Sequence, residues 1–314
     1  MYTIDDIQIF IATHNRANLI VESLESILNQ TAGVKEITVL DNDSTDNTYE
    51  VVSKYADRGV KYIKTYGFLG NFNKAQEIAN KEFVMLFHDD DILHPKYIEL
   101  AINLLNKENN LSIITTRYTE FKNNNVPTIS QEISDKVYIF KDQKEFAEFL
   151  YYKEIVAYAT AIYKTKYFKI CPIEYEKYSK FNDWPFMVKI AKYGKSAIFA
   201  DLNMFYIRKH CGQDTCTSTN TPSIEQSINW DLFFKKALKV DKSAKNFFRF
   251  KNYYKHFLYS KYVDYISQED REKYSMQDVV NIAKFKGIEY FNRRIILCLY
   301  VLFYTLKIYL KIKI

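Results

Sequence analysis

The segment VMLFHDDDILHP, Val84 to Pro95, decides the fold. Four apolar residues, the length of a short buried strand, are followed by His88 and by three adjacent aspartates, Asp89 to Asp91. Adjacent carboxylates repel one another and raise each other's pKa, so a cation is expected beside them. A run of aspartates before a proline is also typical of a solvated loop, and the segment alone leaves both interpretations open.

The chain before this segment alternates short apolar runs with helical patterns. The predicted strands are IQIFIA from Ile7, EITVL from Glu36 and KYIKTY from Lys61, and the predicted helices cover Leu19–Leu28, the residues after Ser44 and Asn71–Ala79. This alternation predicts a Rossmann-like α/β fold, with a mostly parallel central sheet and helices on both faces. Polar loops, THNR (Thr13–Arg16) and DNDSTD (Asp41–Asp46), follow the first two strands. Because the carboxyl ends of parallel strands meet at one edge, we expect the three polar loops to form one crevice.

The later part of the chain predicts a change from mixed structure to helices. Strands and helices alternate from about residue 112, and one helix is expected to begin at Asn182 or Asp183 and to end at Gly194. From Pro222 onward the pattern is nearly all helical. We therefore expect an α/β domain over residues 1–218, a helical C-terminal region over 219–290 and an amphipathic, membrane-associating helix over 291–314.

The last segment, NRRIILCLYVLFYTLKIYLKIKI, predicts a helix that lies on a membrane surface. Its apolar run, Ile295–Leu306, is shorter than the ~20 residues that cross a bilayer. Arg293 and Arg294 precede the run and lysines follow it, which suits anionic lipid headgroups. A helix that docks on the protein's own core or on a second subunit is the alternative, so an oligomer is possible.

Composition and charge set limits on partners and compartment. The 314 residues include 44 Lys and Arg against 38 Asp and Glu, and this mild excess does not indicate a nucleic-acid partner. The N-terminus lacks the pattern of a secretory signal, and four cysteines are too few for a disulfide framework. We expect a reducing compartment, with the protein in the cytoplasm and peripheral on the inner face of the cell membrane.

Five motifs, taken in order, resemble those of family 2 glycosyltransferases of the GT-A fold. They are IFIATHNR, VLDNDSTDNT, FVMLFHDDDILHP, NDWPFMVKIAKYG and YIRKHCGQDT, and the resemblance extends over Ile7 to Ser218. It implies an inverting, metal-dependent enzyme of the bacterial surface-polysaccharide type. Such an enzyme moves a hexose or an N-acetylhexosamine from a nucleoside-diphosphate donor to a hydroxyl of a glycan or lipid-linked glycan, with Mn²⁺ or Mg²⁺ as its cofactor.

The resemblance also implies roles for single residues. It implies nucleotide contacts for Ala12, Thr13, Asn15, Arg16, Asp41, Asn42, Asn73, Lys74, Asp89 and Asp90. It implies diphosphate contacts for Arg208, His210 and Gln213, and metal ligands among Asp89, Asp91 and His210. Asp183 matches the general base, although a helix N-cap also explains it. Trp184 is expected to contact the acceptor sugar, or else to pack its helix.

Some details stay open in the sequence. Many relatives have an aspartate in place of Asn42 to accept the uracil N3 proton; an amide carbonyl also accepts it, so a UDP-sugar is expected while thymidine or another base stays possible. Asp89 and Asp91 are expected to share a side, because side chains alternate in an extended loop.

Two rival functions are a sugar-nucleotide nucleotidyltransferase and a non-catalytic glycan-binding assembly protein. The first needs a glycine-rich loop after the first strand, but residues 1–32 contain no glycine. The second predicts the loss of an acidic motif, whereas Asp89, Asp91 and Asp183 are all present.

Overall fold

The computed structural model describes residues 1–122, 126–130, 132–152, 156–210 and 224–238. Its strands are β1 (Ile7–Thr13), β2 (Ile37–Asn42), β3 (Val60–Thr65), β4 (Phe83–His88), β5 (Ile92–Leu93), β6 (Leu111–Thr116), β7 (Thr119–Lys122), β8 (Val137–Phe140), β9 (Ile162–Lys164), β10 (Lys195–Phe199) and β11 (Phe205–Lys209). Its helices are α1 (Ile20–Leu28), α2 (Thr48–Ser53), α3 (Gly70–Ile78), α4 (Tyr97–Lys107), α5 (Gln143–Tyr152), α6 (Thr165–Ile170), α7 (Tyr175–Tyr178), α8 (Asp183–Ile190) and α9 (Ile224–Ala237).

The described strands form two sheets. The larger sheet has eight strands in the order β3-β2-β1-β4-β9-β6-β10-β8, and the smaller has three in the order β5-β11-β7. Strands β1 to β4 pair in parallel, as do β6 and β10, while β9 and β8 run antiparallel to their neighbours. The predicted α/β fold with a mostly parallel central sheet is therefore confirmed.

Strand β1 sits in the middle of the parallel half and aligns the strand ends. Its residues Ile7, Ile9, Phe10 and Ile11 are buried, as expected for a strand covered on both faces. In register, Ala12 pairs with Leu40 of β2 and with His88 of β4. The polar loops that follow β1, β2 and β4 therefore leave the sheet at the same edge.

Helix α4 starts at Tyr97, two residues after Pro95. The preceding residues form a separate turn: the Lys96 amide donates to His94 Nδ1 over 3.1 Å, and the Pro95 carbonyl accepts from the Thr31 amide at 2.9 Å. The hydrogen bond between the Pro95 carbonyl and Thr31, in the loop after α1, holds Pro95 outside the helix.

The described residues divide into two compact units. The first contains Met1–Ile173 together with the described residues from Asp183 to His210, and the second contains Glu174–Asn182 and α9. The predicted boundary at residue 218 lies outside the described residues and stays a prediction. Within the described residues, no helix is both long and apolar enough to cross a membrane. The predicted membrane-associating helix over 291–314 lies outside the described residues, as does most of the helical region over 219–290.

Gly59, which directly precedes β3, packs closely against the backbone of Lys35. Its φ is +83°, and an added Cβ would lie 1.9 Å from the Lys35 carbonyl oxygen. Gly33 has a similar φ of +72° but nothing within 4 Å of such a Cβ. We expect Gly33→Ala to cost about 1 kcal/mol of unfolding free energy and Gly59→Ala to cost clearly more, because only the second adds a backbone clash. Urea denaturation of both variants measures the difference. Equal costs would contradict the close approach of Gly59 to the Lys35 carbonyl oxygen.

Candidate active site

The loops after β1 and β2 are joined by hydrogen bonds. Asn15 has a left-handed backbone, with φ of 53°, and its amide donates to Ser44 Oγ at 2.7 Å. Its side-chain oxygen accepts from the Thr45 amide at 2.8 Å, and the Arg16 amide donates to Thr48 Oγ1. The two predicted nucleotide-binding loops therefore form one rigid surface at the carboxyl edge of the sheet.

Asp41 and Asn42 end β2, but their side chains differ in what they contact. Asp41 is fully buried: one of its oxygens accepts from Ser44 Oγ at 2.5 Å, and the other accepts from the Tyr62 hydroxyl at 2.6 Å. Burial, and then the bond to Asp41, raise the pKa of Tyr62. Asn42 Oδ1 is also buried, yet it has no hydrogen-bond partner among the described residues. The Asp41 carboxylate is therefore used in hydrogen bonds within the protein. The Asn42 side-chain oxygen has no such bond among the described residues.

The three aspartates after β4 are all buried, but they point in different directions. Asp89 accepts from the His14 amide at 3.4 Å, which turns it towards the loop after β1. Asp90, Asp91 and His88 each offer one ligand atom, and these atoms lie within 4.8 Å of one another. The expected pairing of Asp89 with Asp91 stays a prediction, and the cluster adds Asp90 and His88 beside Asp91. Residues 89 and 90 form a bend, and strict alternation of side chains holds only in extended backbone.

The chemistry of this cluster fits a divalent cation. Two carboxylates and an imidazole are ligands that Mn²⁺ accepts, and carboxylates also suit Mg²⁺. Burial, together with the charge of Asp90, raises the pKa of Asp89 to about 7 and raises that of Asp91 well above its ordinary value. Both shifts reflect the cost of crowding negative charge in a buried loop, which a bound cation would relieve.

Arg208 holds the acidic loop in place from β11. Its amide donates to Asp91 Oδ1 at 3.0 Å, and its Nε donates to the Asp90 carbonyl at 2.8 Å. The guanidinium also pairs with Glu22 of α1 and lies 4.6 Å from the centroid of the Phe121 ring. The side chain is 1% exposed. These contacts are to protein groups, so a diphosphate contact for Arg208 stays a prediction beside its evident structural role.

His210 and Arg16 meet at the rim of the acidic loop. His210 Nε2 lies 2.9 Å from Asp90 Oδ2 and 3.0 Å from an Arg16 guanidinium nitrogen. The structure thus brings together three of the residues assigned to the nucleotide and diphosphate, from three different elements. Gln213, the remaining diphosphate candidate, lies outside the described residues.

Asp183 begins α8, as the sequence predicts, and burial raises its pKa to about 7. Buried aromatic residues surround this position: the charge of Asp183 contributes to raised pKa values at Tyr158 and Tyr163, after their own burial. The Tyr158 ring also lies 6.2 Å, centroid to centroid, from His88. Tyr158 thus lies near His88 of the acidic cluster. Trp184 is partly buried beside Asp183, and its contact with an acceptor stays a prediction.

The comparisons with known proteins agree with this arrangement. Residues 8–171 match the model of glycosyl transferase family 2. The chain belongs to this family. Family membership confirms the class that the five motifs predicted, a glycosyltransferase.

Individual relatives of this family 2 glycosyltransferase cover different shares of the chain. A glucosyltransferase of Escherichia coli, UDP-Glc:alpha-D-GlcNAc-diphosphoundecaprenol beta-1,3-glucosyltransferase WfgD, is 30% identical over 123 residues, which are 38% of this chain and 48% of that protein. An uncharacterized glycosyltransferase of Rickettsia typhi is 25% identical over 236 residues, 75% of this chain and 73% of the relative. The chain thus spans about half of the first relative and about three quarters of the second.

A solved structure confirms the fold. The structure of S. aureus TarS 1-349 in complex with UDP-GlcNAc superimposes with a TM-score of 0.61 and 19% identity, covering 88% of this chain and 81% of that one. At this identity the similarity establishes a shared GT-A fold, as the motifs implied.

Sequence reasoning missed several residues that shape the site of this family 2 chain. Asn71, rather than Asn73 or Lys74, is bonded at the carboxyl edge, since its amide donates to the Thr13 carbonyl at 3.1 Å. Lys74 pairs with Glu77 on its own helix at 2.9 Å. His88 belongs to the acidic cluster, and the one sequence signal for this was its position directly before the aspartates. Glu22 gave no local signal, because its partner Arg208 is 186 residues away.

The structural role of Arg208 leads to a stability prediction. We expect Arg208→Gln to lower the free energy of unfolding by about 2 to 4 kcal/mol, because it removes the buried cation that holds the acidic loop. Lys209→Gln is a matched control on the same strand, since Lys209 pairs at 3.0 Å with Glu120 at an exposed site and should cost under about 1 kcal/mol. Urea denaturation measures both; similar costs would show that Arg208 does not anchor the loop.

Proposed function

We propose that this protein transfers a sugar from a UDP-sugar to a hydroxyl of a glycan or lipid-linked glycan, with inversion at the anomeric carbon. One observation supports the proposal: the loop after β4 carries the acidic cluster of His88, Asp90 and Asp91, and the Arg16–His210 pair contacts Asp90 of this cluster. The relative from E. coli, named for a UDP-Glc donor and a diphosphoundecaprenol-linked acceptor, supports the choice of donor and of a lipid-linked acceptor.

The predicted reaction is a single displacement. The acceptor oxygen forms a bond to the anomeric carbon while the bond from that carbon to the diphosphate oxygen breaks, and the electron pair leaves with the nucleoside diphosphate. Asp183 takes the proton of the acceptor hydroxyl. Attack from the face opposite to the leaving group inverts the centre, and no covalent intermediate with the enzyme is required.

The leaving diphosphate gains negative charge, and positively charged groups of the chain would stabilise it. The Arg16 backbone amide donates a hydrogen bond to Thr48 Oγ1, and its guanidinium lies beside His210, at the rim where the diphosphate would depart. Asp90, Asp91 and His88 would hold a divalent cation, which supplies further positive charge to the diphosphate when bound. The two kinds of group would act on the same side of the bond that breaks.

The acceptor defines where the enzyme would work. A lipid-linked acceptor requires the protein to reach a membrane surface, which agrees with the basic and apolar residues 291–314. We infer that the protein acts on the cytoplasmic side of the cell membrane in the synthesis of a surface polysaccharide.

Calorimetric titration with UDP tests the donor site. We expect UDP to bind in the presence of Mn²⁺ or Mg²⁺, and both EDTA and Asp90→Asn to weaken its affinity at least about tenfold, ~1.4 kcal/mol. Asp57→Asn removes the same charge from an exposed site before β3 and should leave binding unchanged. If none of UDP, dTDP and GDP binds with either cation, the transferase proposal fails.

The pKa of Asp183 predicts the pH dependence of transfer. The carboxylate form accepts the proton, so kcat should rise with pH through about 7 and level off above it. Asp183→Asn should lower kcat by about 10²- to 10⁴-fold and retain UDP binding. A panel of UDP-sugars with a diphosphoundecaprenol-linked GlcNAc acceptor provides the assay. A rate that is independent of pH between 5.5 and 8.5 would remove Asp183 from the role of base.

A further inference from the structure

A cavity of about 150 Å³ lies at the amino edge of the large sheet, at the opposite end of β4 from the acidic loop. Phe83, the first residue of β4, lines the cavity, whereas His88 at the other end of the strand belongs to the acidic cluster. Five residue steps along a strand span about 17 Å. The cavity is therefore separate from the residues proposed for sugar transfer.

The floor of the cavity is apolar and its rim is polar. Phe83, Leu105 and Leu111 line it, and each is at most 5% exposed. Asn109 and Lys166 also line it, but both are exposed. An apolar floor with a few polar groups at the mouth is the usual composition of a small-molecule site. A cavity of this volume is large enough for one six-membered ring.

Tyr2 forms one wall of the cavity and is held by several contacts. Its amide donates to Asn106 Oδ1 at 2.6 Å, and the Asn106 side-chain nitrogen donates to the Tyr2 carbonyl at 2.9 Å. The Tyr2 ring meets the Phe83 ring edge to face, with the centroids 5.0 Å apart. Lys164 is ion-paired with Glu82, and its Nζ lies 4.6 Å from the Phe83 centroid. This wall is therefore fixed before any ligand binds.

The remaining walls are also held from outside the cavity. The Tyr167 ring stacks on Tyr193, with the centroids 4.7 Å apart and the planes 12° from parallel. Asn110 has a left-handed backbone, with φ of 62°, and its carbonyl accepts from the Lys195 amide at 2.9 Å. Lys195 also pairs with Glu108 at 3.0 Å. A site that is already ordered loses little conformational entropy when a ligand binds.

The groups at the rim can both donate and accept hydrogen bonds. Within the described chain, the side-chain amides of Asn109 and Asn110 form no hydrogen bond. Lys166 forms no ion pair there, and its Nζ lies 4.8 Å from the Tyr167 centroid. Each amide offers two donors and one acceptor oxygen, and the lysine offers three donors. The other two charged residues of the lining are already ion-paired. The cavity thus suits a ligand with many hydroxyls and little charge.

We propose that this cavity binds one sugar residue of a glycan, separately from the transfer site. A pyranose ring has the required size, with C–H groups on its faces and hydroxyls around its edge. The faces would pack on the apolar floor and the tyrosine rings, and the hydroxyls would bond to Asn109, Asn110 and Lys166. This inference goes beyond the proposed function, because it gives the protein a second point at which it holds a glycan.

Sugar titrations followed by NMR of isotope-labelled protein test the cavity. The side-chain amide signals that disappear in Asn109→Ala identify the reporter. We expect at least one of glucose, N-acetylglucosamine and glucuronic acid to shift these signals until they saturate. Lys166→Met should weaken the affinity of that sugar about fivefold or more, as for loss of one hydrogen bond, and Tyr167→Ala should also weaken it. Lys54→Met, at an exposed site after α2, is the matched control and should change nothing.

Two further measurements make the outcomes distinct. Thermal melting should show that Asn109→Ala and Lys166→Met stay folded, because both side chains are exposed. Both variants should bind UDP and transfer sugar as the wild type does. If no sugar shifts the Asn109 signals, if inorganic phosphate shifts them and the sugars do not, or if Lys166→Met and Tyr167→Ala both keep full sugar affinity, this inference is wrong and the proposed function survives. If the sugars bind here but no nucleoside diphosphate binds, the proposed function fails and this inference stands.

Discussion

Three adjacent carboxylates buried at the end of β4 are the constraint on which the rest of the structure depends. Asp89, Asp90 and Asp91 are each less than 10% exposed, and burial of several like charges is stable only when donors and cations surround them. The fold draws these from distant parts of the chain: the His14 amide from the loop after β1, the Arg208 guanidinium from β11, and His210 just beyond it. The small sheet also supports the acidic loop. Strand β11 pairs with β5, which directly follows the aspartates, and this pairing brings Arg208 of β11 close to them.

The cationic groups around this loop have separate tasks. Arg208 is buried, and its backbone and side chain bond to Asp91, Asp90 and Glu22, so it holds the acidic loop through protein contacts. Arg16 and His210 lie at the rim, where a departing diphosphate needs positive charge. The predicted base is kept apart on α8 among aromatic side chains, and the same burial that raises its pKa towards 7 suits it to accept a proton near neutral pH. In the proposed mechanism, the groups that act on the donor and the group that acts on the acceptor therefore come from different elements.

Backbone strain follows the same edge. Non-glycine residues with left-handed backbone occur after each of the first three strands, at Asn15, Asp43 and Leu69. The Asn15 amide donates a hydrogen bond to Ser44, and Asp43 forms an ion pair with Lys64. Phe68, which precedes Leu69, is exposed to solvent. These are three of the five such residues in the described chain; the other two, Asn110 and Ser179, lie before β6 and after α7.

The sequence by itself determined the parallel core, the order of its polar loops and the start of α8 at either Asn182 or Asp183, because these depend on local patterns of apolar residues and helix starts. It did not reveal β9, a strand of three residues, Ile162–Lys164, that pairs antiparallel between β4 and β6 and is too short to show a pattern. Nor did it show that Asp90 and His88 lie beside Asp91, or that Arg208 both pairs with Glu22 and holds the acidic loop. Only the tertiary structure decided these points, since a bend overrides side-chain alternation and since partners such as Arg208 and Asp90, 118 residues apart, meet only once the sheets have formed.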